Sequence, residues 1–125
     1  GDANAEYRAS LDRYYEQGPP ADWGQRYISA YASSHPLEDW AETWSHYLLM
    51  HDALETAHAH HLIDTPPSSS ALVERISQWQ AVSVGLNEMN QSVGREDAYP
   101  FVISAQVHNK LAYVDAMISR LRTLQ

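Results

Sequence analysis

Residues 35–47, HPLEDWAETWSHY, combine two glutamates, a histidine and several aromatic residues in one predicted helix. An α-helix advances about 3.6 residues per turn, so Glu38, Glu42 and His46, which are spaced four residues apart, point in the same direction. Apolar residues occupy the positions beside this stripe, and they predict the core-facing side of the helix: Leu37, Trp40, Ala41, Trp44 and Leu48.

The carboxylates of this stripe need a partner. An ionised carboxylate that leaves water costs several kcal/mol unless a cation, a metal ion or hydrogen-bond donors compensate it. Because few arginines are nearby in the sequence, the stripe is a candidate for part of a metal site. The alternative for Glu38 and Glu42 is a capping or surface role, since acidic residues suit the first turn of a helix. His46 is either a hydrogen-bond donor near the metal or an ordinary half-buried histidine, and the spacing does not choose between them.

Helix-start and helix-stop signals divide the chain into five predicted helices. The first helix ends at Gly18-Pro19-Pro20, and the fourth helix ends at Gly94. Residues 64–70 form an exposed, mobile loop before the fourth helix, and Ser104 is the N-cap of the last helix. The predicted spans are about 3–17, 22–33, 36–60, 71–92 and 104 onwards, and Pro36 suits a first helical position. The sequence therefore predicts an all-α, single-domain bundle of about five helices over residues 1–125.

Helical periodicity also predicts the core residues of the last two helices. The fourth helix is predicted to turn inward Leu72, Ile76, Trp79, Val82, Leu86 and Met89, and the fifth Val107, Leu111, Val114, Ile118 and Leu121. The tyrosines at 14, 15, 27 and 31 are predicted to pack in the core rather than to present a hydroxyl to a transition state. Two features keep alternatives open. Residues 97–102 either line a substrate cleft or fill the core, and the histidines at 51, 58, 60 and 61 are either metal ligands or a solvated helix end.

Composition excludes several classes of function. The chain has 125 residues with 16 acidic and 8 basic side chains, a formal charge of -8, which opposes nucleic-acid binding because phosphate contacts need clustered cations. No apolar run approaches the roughly 18–20 residues that span a bilayer, and the N-terminus lacks signal-peptide features, so we expect no membrane contact. Cysteine is absent, which excludes thiolate metal sites and favours a cytoplasmic location.

The segment at 35–47 resembles the third-ligand helix of gluzincin-type zinc metallopeptidases. The stretches YYEQGPPADW at 14–23, NEMNQS at 87–92 and DAYPFVIS at 97–104 are similar to a bacterial family of predicted zinc-binding metallopeptidases, and the resemblance covers nearly the whole chain. In gluzincins, two histidines of an HExxH helix and a glutamate from a later helix hold zinc. The resemblance implies that Glu38 is the third zinc ligand and that Glu42, four residues later, orients a ligand histidine.

The chain departs from this family pattern because no HExxH occurs in its 125 residues. Two zinc ligands and the general-base glutamate are therefore missing. The resemblance implies that the chain is the C-terminal part of a zinc-dependent peptidase that hydrolyses peptides or proteins. We expect it to be inactive alone, with no zinc bound, and to partner an N-terminal HExxH-containing segment of the same protein.

Two further expectations follow from that missing segment. Its absence should leave an apolar face uncovered, through which the chain could form a homodimer. The alternative function is a non-enzymatic, all-helical binding module. An HExxH helix upstream of Gly1 in the natural protein would favour the enzyme.

Overall fold

The structure, a computed structural model, describes residues 2–95 and 103–123. Five α-helices cover most of these residues: α1 Asp2–Gln17, α2 Trp23–Arg26, α3 Pro36–Ala59, α4 Leu72–Ser92 and α5 Ala105–Thr123. Short 3-10 turns lie at Tyr31–Ser34 and Pro67–Ser69. No β-strand occurs within the described ranges, and the prediction of an all-α fold with about five helices is confirmed.

The chain separates into two compact units, Gly1–Tyr47 with Ile103–Gln125, and Leu48–Val102. In the first unit, α1 contacts the 3-10 turn at Tyr31–Ser34, and α2 contacts α5. The buried apolar residues of that unit are Ala32, Tyr47, Val107, Leu111 and Val114, and those of the second are Met50, Leu54, Ala57, Ile76 and Trp79. The assignment of residues 1–125 to one domain remains a prediction.

Three predicted helix boundaries are confirmed by their capping geometry. Gly18 has a φ of +75°, and its amide donates to the carbonyl of Tyr14 at 2.7 Å, which closes the last turn of α1. Gly94 has a φ of +77°, a conformation that glycine adopts without steric cost, and it ends α4. The hydroxyl of Ser104 accepts a hydrogen bond from the Val107 amide at 3.2 Å, as expected of an N-cap.

The second helix is much shorter than predicted. It ends at Arg26, because Tyr27 is extended, with φ -130° and ψ 149°, and the chain resumes a helical path only in the 3-10 turn. Two contacts favour this break. The Arg26 carbonyl accepts a hydrogen bond from Lys110 Nζ at 2.6 Å, and the Ser29 hydroxyl accepts one from the Ala32 amide at 3.1 Å. Serine side chains that bond to nearby amides compete with helix formation in this way.

The core-facing side of α3 was predicted wrongly. Leu37 is 63% exposed and Trp40 44% exposed, whereas the buried positions follow a neighbouring face that begins at Thr43 and Tyr47. Thr43 can be buried because its hydroxyl donates to the carbonyl of Asp39 at 2.8 Å. Ala41 and Leu48 are also exposed and Trp44 is half-buried. The buried face of α3 therefore includes the polar residue Thr43, and a search for apolar periodicity does not find it.

The fourth helix shows the same effect in its second half. Ile76 and Trp79 are buried as predicted, but Leu86 and Met89 are exposed, and the buried positions that follow Trp79 are Ser83 and Asn87. These residues continue the Ile76 face at helical spacing, yet their polar side chains do not signal a core. In α5, by contrast, the predicted burial at 107, 111 and 114 is confirmed, while Ile118 is half-buried and Leu121 is exposed.

Lys110, the single lysine of the chain, joins three elements of the first unit. From α5 its ammonium group donates to Asp39 Oδ2 on α3 at 2.7 Å as well as to the Arg26 carbonyl at the end of α2. It also lies 4.6 Å from the ring centroid of Tyr27, within the range of a cation–π interaction. These contacts fix the start of the segment that leads from α2 to α3.

Residues 97–102 lie outside the described residues, so their alternatives stay open. The loop at 64–70 contains a 3-10 turn in which Pro67 is buried, although most of its other residues are exposed. Across the part of the chain that the structure describes, no helix has the length and apolar character to cross a membrane. The cytoplasmic location remains a prediction.

Candidate functional site

Glu38 lies in the first turn of α3 and is held by a tyrosine from α1. The Tyr7 hydroxyl donates a hydrogen bond to Glu38 Oε1, across 31 residues of sequence. The Tyr7 ring also contacts His35 edge to face, with centroids 4.9 Å apart. Tyr7 therefore fixes both the side chain of Glu38 and the residue that precedes α3.

The Glu38 carboxylate changes the acidity of the tyrosines beside it. The hydrogen bond to Glu38 is the main reason that the pKa of Tyr7 rises from 10.0 to about 12, followed by burial and by the negative charge of Glu38. The pKa of Tyr31 is also raised, first by burial and then by the charge of Glu38. Both pKa values lie above the usual 10.0, so the two phenols stay neutral donors at physiological pH.

The raised pKa of Tyr7 predicts a loss of stability at high pH. A pKa that is higher in the folded state favours the neutral phenol there, so its contribution is complete below pH 10 and is lost as the pH rises to about 12. We expect Tyr7→Phe to show a smaller decline of the unfolding free energy over this interval than the wild type. Denaturant titrations at several pH values measure this, with the exposed Tyr15→Phe as control. Equal declines in wild type and Tyr7→Phe would contradict the assignment.

Glu42 lies one turn after Glu38 and is held by a different segment. The Ser29 hydroxyl donates to Glu42 Oε2 at 3.0 Å, and the same hydroxyl accepts from the Ala32 amide at 3.1 Å. The 28% exposed side chain of Glu42 is therefore oriented by the segment between α2 and α3, the segment that breaks the predicted second helix. The other carboxylate oxygen of Glu42, Oε1, takes no part in the hydrogen bond with Ser29.

His46 completes the predicted stripe without joining the two carboxylates into a metal site. Its Nδ1 lies 2.8 Å from the backbone carbonyl of Glu42, and donates to it in the tautomer that this geometry requires. The same nitrogen is 3.8 Å from Glu42 Oε2, an ion pair only when the ring is protonated. The ring is 20% exposed. Its contacts fit a half-buried histidine bonded to its own helix.

The described residues do not form a complete zinc site. Within residues 2–95 and 103–123, no group of three or more His, Cys, Asp or Glu side chains could hold a metal ion. Zinc sites take three or four protein ligands, so Glu38 and Glu42 do not complete one. The histidines at the end of α3 belong to no such group within these ranges either, and His51 Nε2 pairs with Glu55 at 3.0 Å.

Two residues of the site were not predicted from the sequence. Tyr7 was assigned to the core by its helical spacing, and Ser29 was placed inside a continuous second helix. Their partners lie 31 and 13 residues away, so no local pattern connects them to Glu38 and Glu42. The break at Tyr27 is the feature that turns Ser29 toward Glu42, and nothing in the sequence marks it.

Comparison with known proteins found relatives among uncharacterised bacterial proteins. The chain is 40% identical over 128 residues to "Uncharacterized protein Mb2598c" of Mycobacterium bovis and to "Uncharacterized protein Rv2568c" of Mycobacterium tuberculosis. In both cases the match covers 97% of this chain but 38% of the relative, so the chain spans well under half of their length. No solved structure matches the chain.

A family model also matches almost the whole sequence. The match runs over residues 1–117 and includes the Glu38, Glu42 and His46 stripe as well as Tyr7 and Ser29. It confirms the resemblance on which the zinc expectation rests. The chain therefore belongs to the family described as "Putative zinc-binding metallo-peptidase".

Proposed function

We propose that the chain forms the C-terminal part of a zinc-dependent peptidase, with Glu38 as the third zinc ligand and Glu42 as the residue that orients a ligand histidine. The two histidine ligands and the general-base glutamate would come from an HExxH helix outside this chain. Membership of a zinc-binding peptidase family supports the proposal, as does the greater length of the mycobacterial relatives. The substrate class would be peptides or proteins.

The environment of Glu38 is the observation that carries the proposal. The carboxylate is half-buried and accepts a hydrogen bond from the neutral Tyr7 hydroxyl. Within the described ranges Glu38 forms no ion pair with a basic side chain, in contrast to Asp39, whose carboxylate pairs with Lys110. A partly desolvated carboxylate without a counter-charge is suited to a metal cation.

The residues of this chain would orient the site rather than carry out the proton transfers. The Tyr7 hydroxyl donates a hydrogen bond to Glu38 Oε1 and thereby restricts the orientation of that carboxylate. The Ser29 hydroxyl orients the Glu42 carboxylate in the same way through Oε2. Such supporting hydrogen bonds fix the direction of a ligand and tune its basicity. Zinc, when bound, would polarise the scissile carbonyl and lower the pKa of its bound water. His46, whose Nδ1 is bonded to the Glu42 carbonyl, would help to hold Glu42.

The chain alone should bind zinc weakly, since it supplies at most part of a ligand set. We expect isothermal calorimetry of the 125-residue chain to show no one-to-one site of sub-micromolar affinity. Glu38→Ala should leave that result unchanged. Tight zinc binding that Glu38→Ala abolishes would show that this chain contains the remaining ligands, and would overturn the proposed division of the site.

The exposed aromatic face of the first unit provides a second test. Trp40 and Tyr113 are exposed, and their ring centroids lie 5.2 Å apart, so α3 and α5 present one apolar surface. We propose that the HExxH-containing segment covers this surface in the complete protein. Without that segment the surface should promote a homodimer, because exposed apolar patches of several hundred Å² favour association.

We therefore expect light scattering to show a concentration-dependent dimer of this chain that Trp40→Glu converts to a monomer. The introduced charge would have to be desolvated in the dimer. Val73→Glu, which changes an exposed apolar residue of α4, is the matched control and should leave the dimer intact. A monomer at every concentration would count against an uncovered contact surface.

A further inference from the structure

The first unit contains a cavity near Glu38 whose lining includes basic side chains but no acidic ones. It has a volume of about 370 Å³ and is walled by α1, by the turn at residues 18–20 and by the 3-10 turn before α3. This volume is within the roughly 300–1,000 Å³ of small-ligand pockets. The chain has 16 acidic residues, yet none lines this cavity, whereas Arg13 and His35 do. The cavity therefore favours an anion.

Arg13 contributes a permanent positive charge to the lining of the cavity. Its exposed guanidinium donates to Ser10 Oγ at 3.1 Å, one turn earlier on α1, and both residues line the cavity. A guanidinium carries five N–H donors in a planar fork that matches a carboxylate. The contact with Ser10 uses one of them, so a two-point bond to a carboxylate remains possible.

Two further donors line the cavity. His35 Nδ1 accepts a hydrogen bond from the Leu37 amide at 3.0 Å, so the neutral ring carries its proton on Nε2 and can donate from there. Ser34 is 7% exposed, and its hydroxyl has no hydrogen-bond partner among the described residues. An oxygen-rich ligand in the cavity would supply an acceptor to His35, whereas the Ser34 hydroxyl is buried and would have to rotate to reach the ligand.

The position of the cavity relates it to the proposed zinc ligand. His35, which lines it, contacts the Tyr7 ring, and Tyr7 is bonded to Glu38. Along α1, Arg13 follows Tyr7 by six residues, or about 9 Å at 1.5 Å per residue.

We propose that the cavity binds the free C-terminal carboxylate of a peptide, with Arg13 as its principal partner. This inference rests on the proposed function and adds a substrate class: peptides with a free C-terminal carboxylate. His35 would contribute a second donor to the same end group. Arg13 would act as a specificity-determining residue, with no part in the zinc chemistry.

The experiment compares a short peptide that has a free C-terminal carboxylate with the same peptide amidated at that end. The 125-residue chain is titrated without zinc, by calorimetry and by the NMR shifts of the Ser34 and His35 amides. We expect the free acid to bind at least about tenfold more tightly than the amide and to shift both signals. Arg13→Gln should reduce the affinity for the acid to that of the amide.

Arg8→Gln is the matched control, because Arg8 is an exposed arginine of the same helix that does not line the cavity, and it should leave binding unchanged. Equal affinities for acid and amide, or an unchanged affinity in Arg13→Gln, would overturn the proposal. The proposal would also be overturned if inorganic phosphate shifted the two amide signals and the peptide acid did not. The cavity would then bind a small anion rather than a peptide terminus. Because zinc is omitted, a negative result leaves the assignment of Glu38 intact, whereas a failure of zinc binding at Glu38 would not alter these affinities.

Discussion

Replacing Leu111 with alanine is expected to lower the free energy of unfolding by about 2–5 kcal/mol, the range for large-to-small changes in a packed core. Leu111 is 2% exposed and lies between Val107 and Val114 on the buried face of α5. The loss combines the transfer free energy of the removed methyl groups with the cavity that they leave. Denaturant titration of wild type and variant measures it.

Leu121→Ala is the matched control for this experiment. Leu121 belongs to the same helix but is 56% exposed, so its truncation should change the unfolding free energy by about 0.5 kcal/mol or less. Similar losses in the two variants would show that the burial pattern of α5 is wrong. A loss of under about 1 kcal/mol in Leu111→Ala would lead to the same conclusion.

Glu38→Ala is expected to abolish zinc retention in a complete protein that contains this chain, because it removes one of three protein ligands. Glu42→Ala should weaken zinc binding by roughly 10- to 100-fold, since it removes only the group that orients a ligand. Zinc-to-protein ratios after dialysis against a weak chelator distinguish these outcomes. Glu55→Ala, at an exposed acid of the same helix, should retain zinc. Full zinc retention in Glu38→Ala would contradict the assignment.

The stability of the same variants separates a functional role from a structural one. Glu42 is part-exposed and bonded to Ser29, and its replacement by alanine in this chain should cost under about 1 kcal/mol, or stabilise by removing charge repulsion with Glu38. If Glu42→Ala unfolded the chain, the residue would be a structural anchor. Its proposed role beside the metal would then be withdrawn.

Helix boundaries were predictable where a single residue type determines the local backbone. Gly18 and Gly94 adopt positive φ values, and Ser104 offers its hydroxyl to a free amide, so α1, α4 and α5 end or begin where the sequence predicts. The second helix failed for the opposite reason. Its end at Arg26 depends on Lys110, 84 residues further along the chain, and local propensity contains no information about that contact.

Buried faces were predictable only where their residues are apolar. The Val107, Leu111 and Val114 face of α5 was found because every member is aliphatic. On α3 and α4, Thr43 and Ser83 are among the most deeply buried side chains, and their hydroxyls hid both faces from a search for apolar periodicity. The exposed Trp40, in turn, belongs to a surface that we assign to contact with another segment.

The candidate site was predictable in its chain positions but not in its partners. The spacing of Glu38 and Glu42 places both on one stripe, and the structure places both in half-buried positions on α3. Tyr7 and Ser29, which orient them, come from other segments and could be found only from the fold. The two histidine ligands that the family resemblance implies could not be located, because this sequence contains no HExxH.

Diffraction from crystals of a complete protein that contains this chain, measured on both sides of the zinc absorption edge, tests the central claim most directly. We predict an anomalous peak with a Glu38 carboxylate oxygen at about 2.0–2.2 Å, two histidines of an HExxH helix as further ligands, and Tyr7 still bonded to Glu38. A zinc ion bound elsewhere would contradict the account, as would a zinc-free protein in which Glu38 contacts only Tyr7. The second result would favour a helical interaction module.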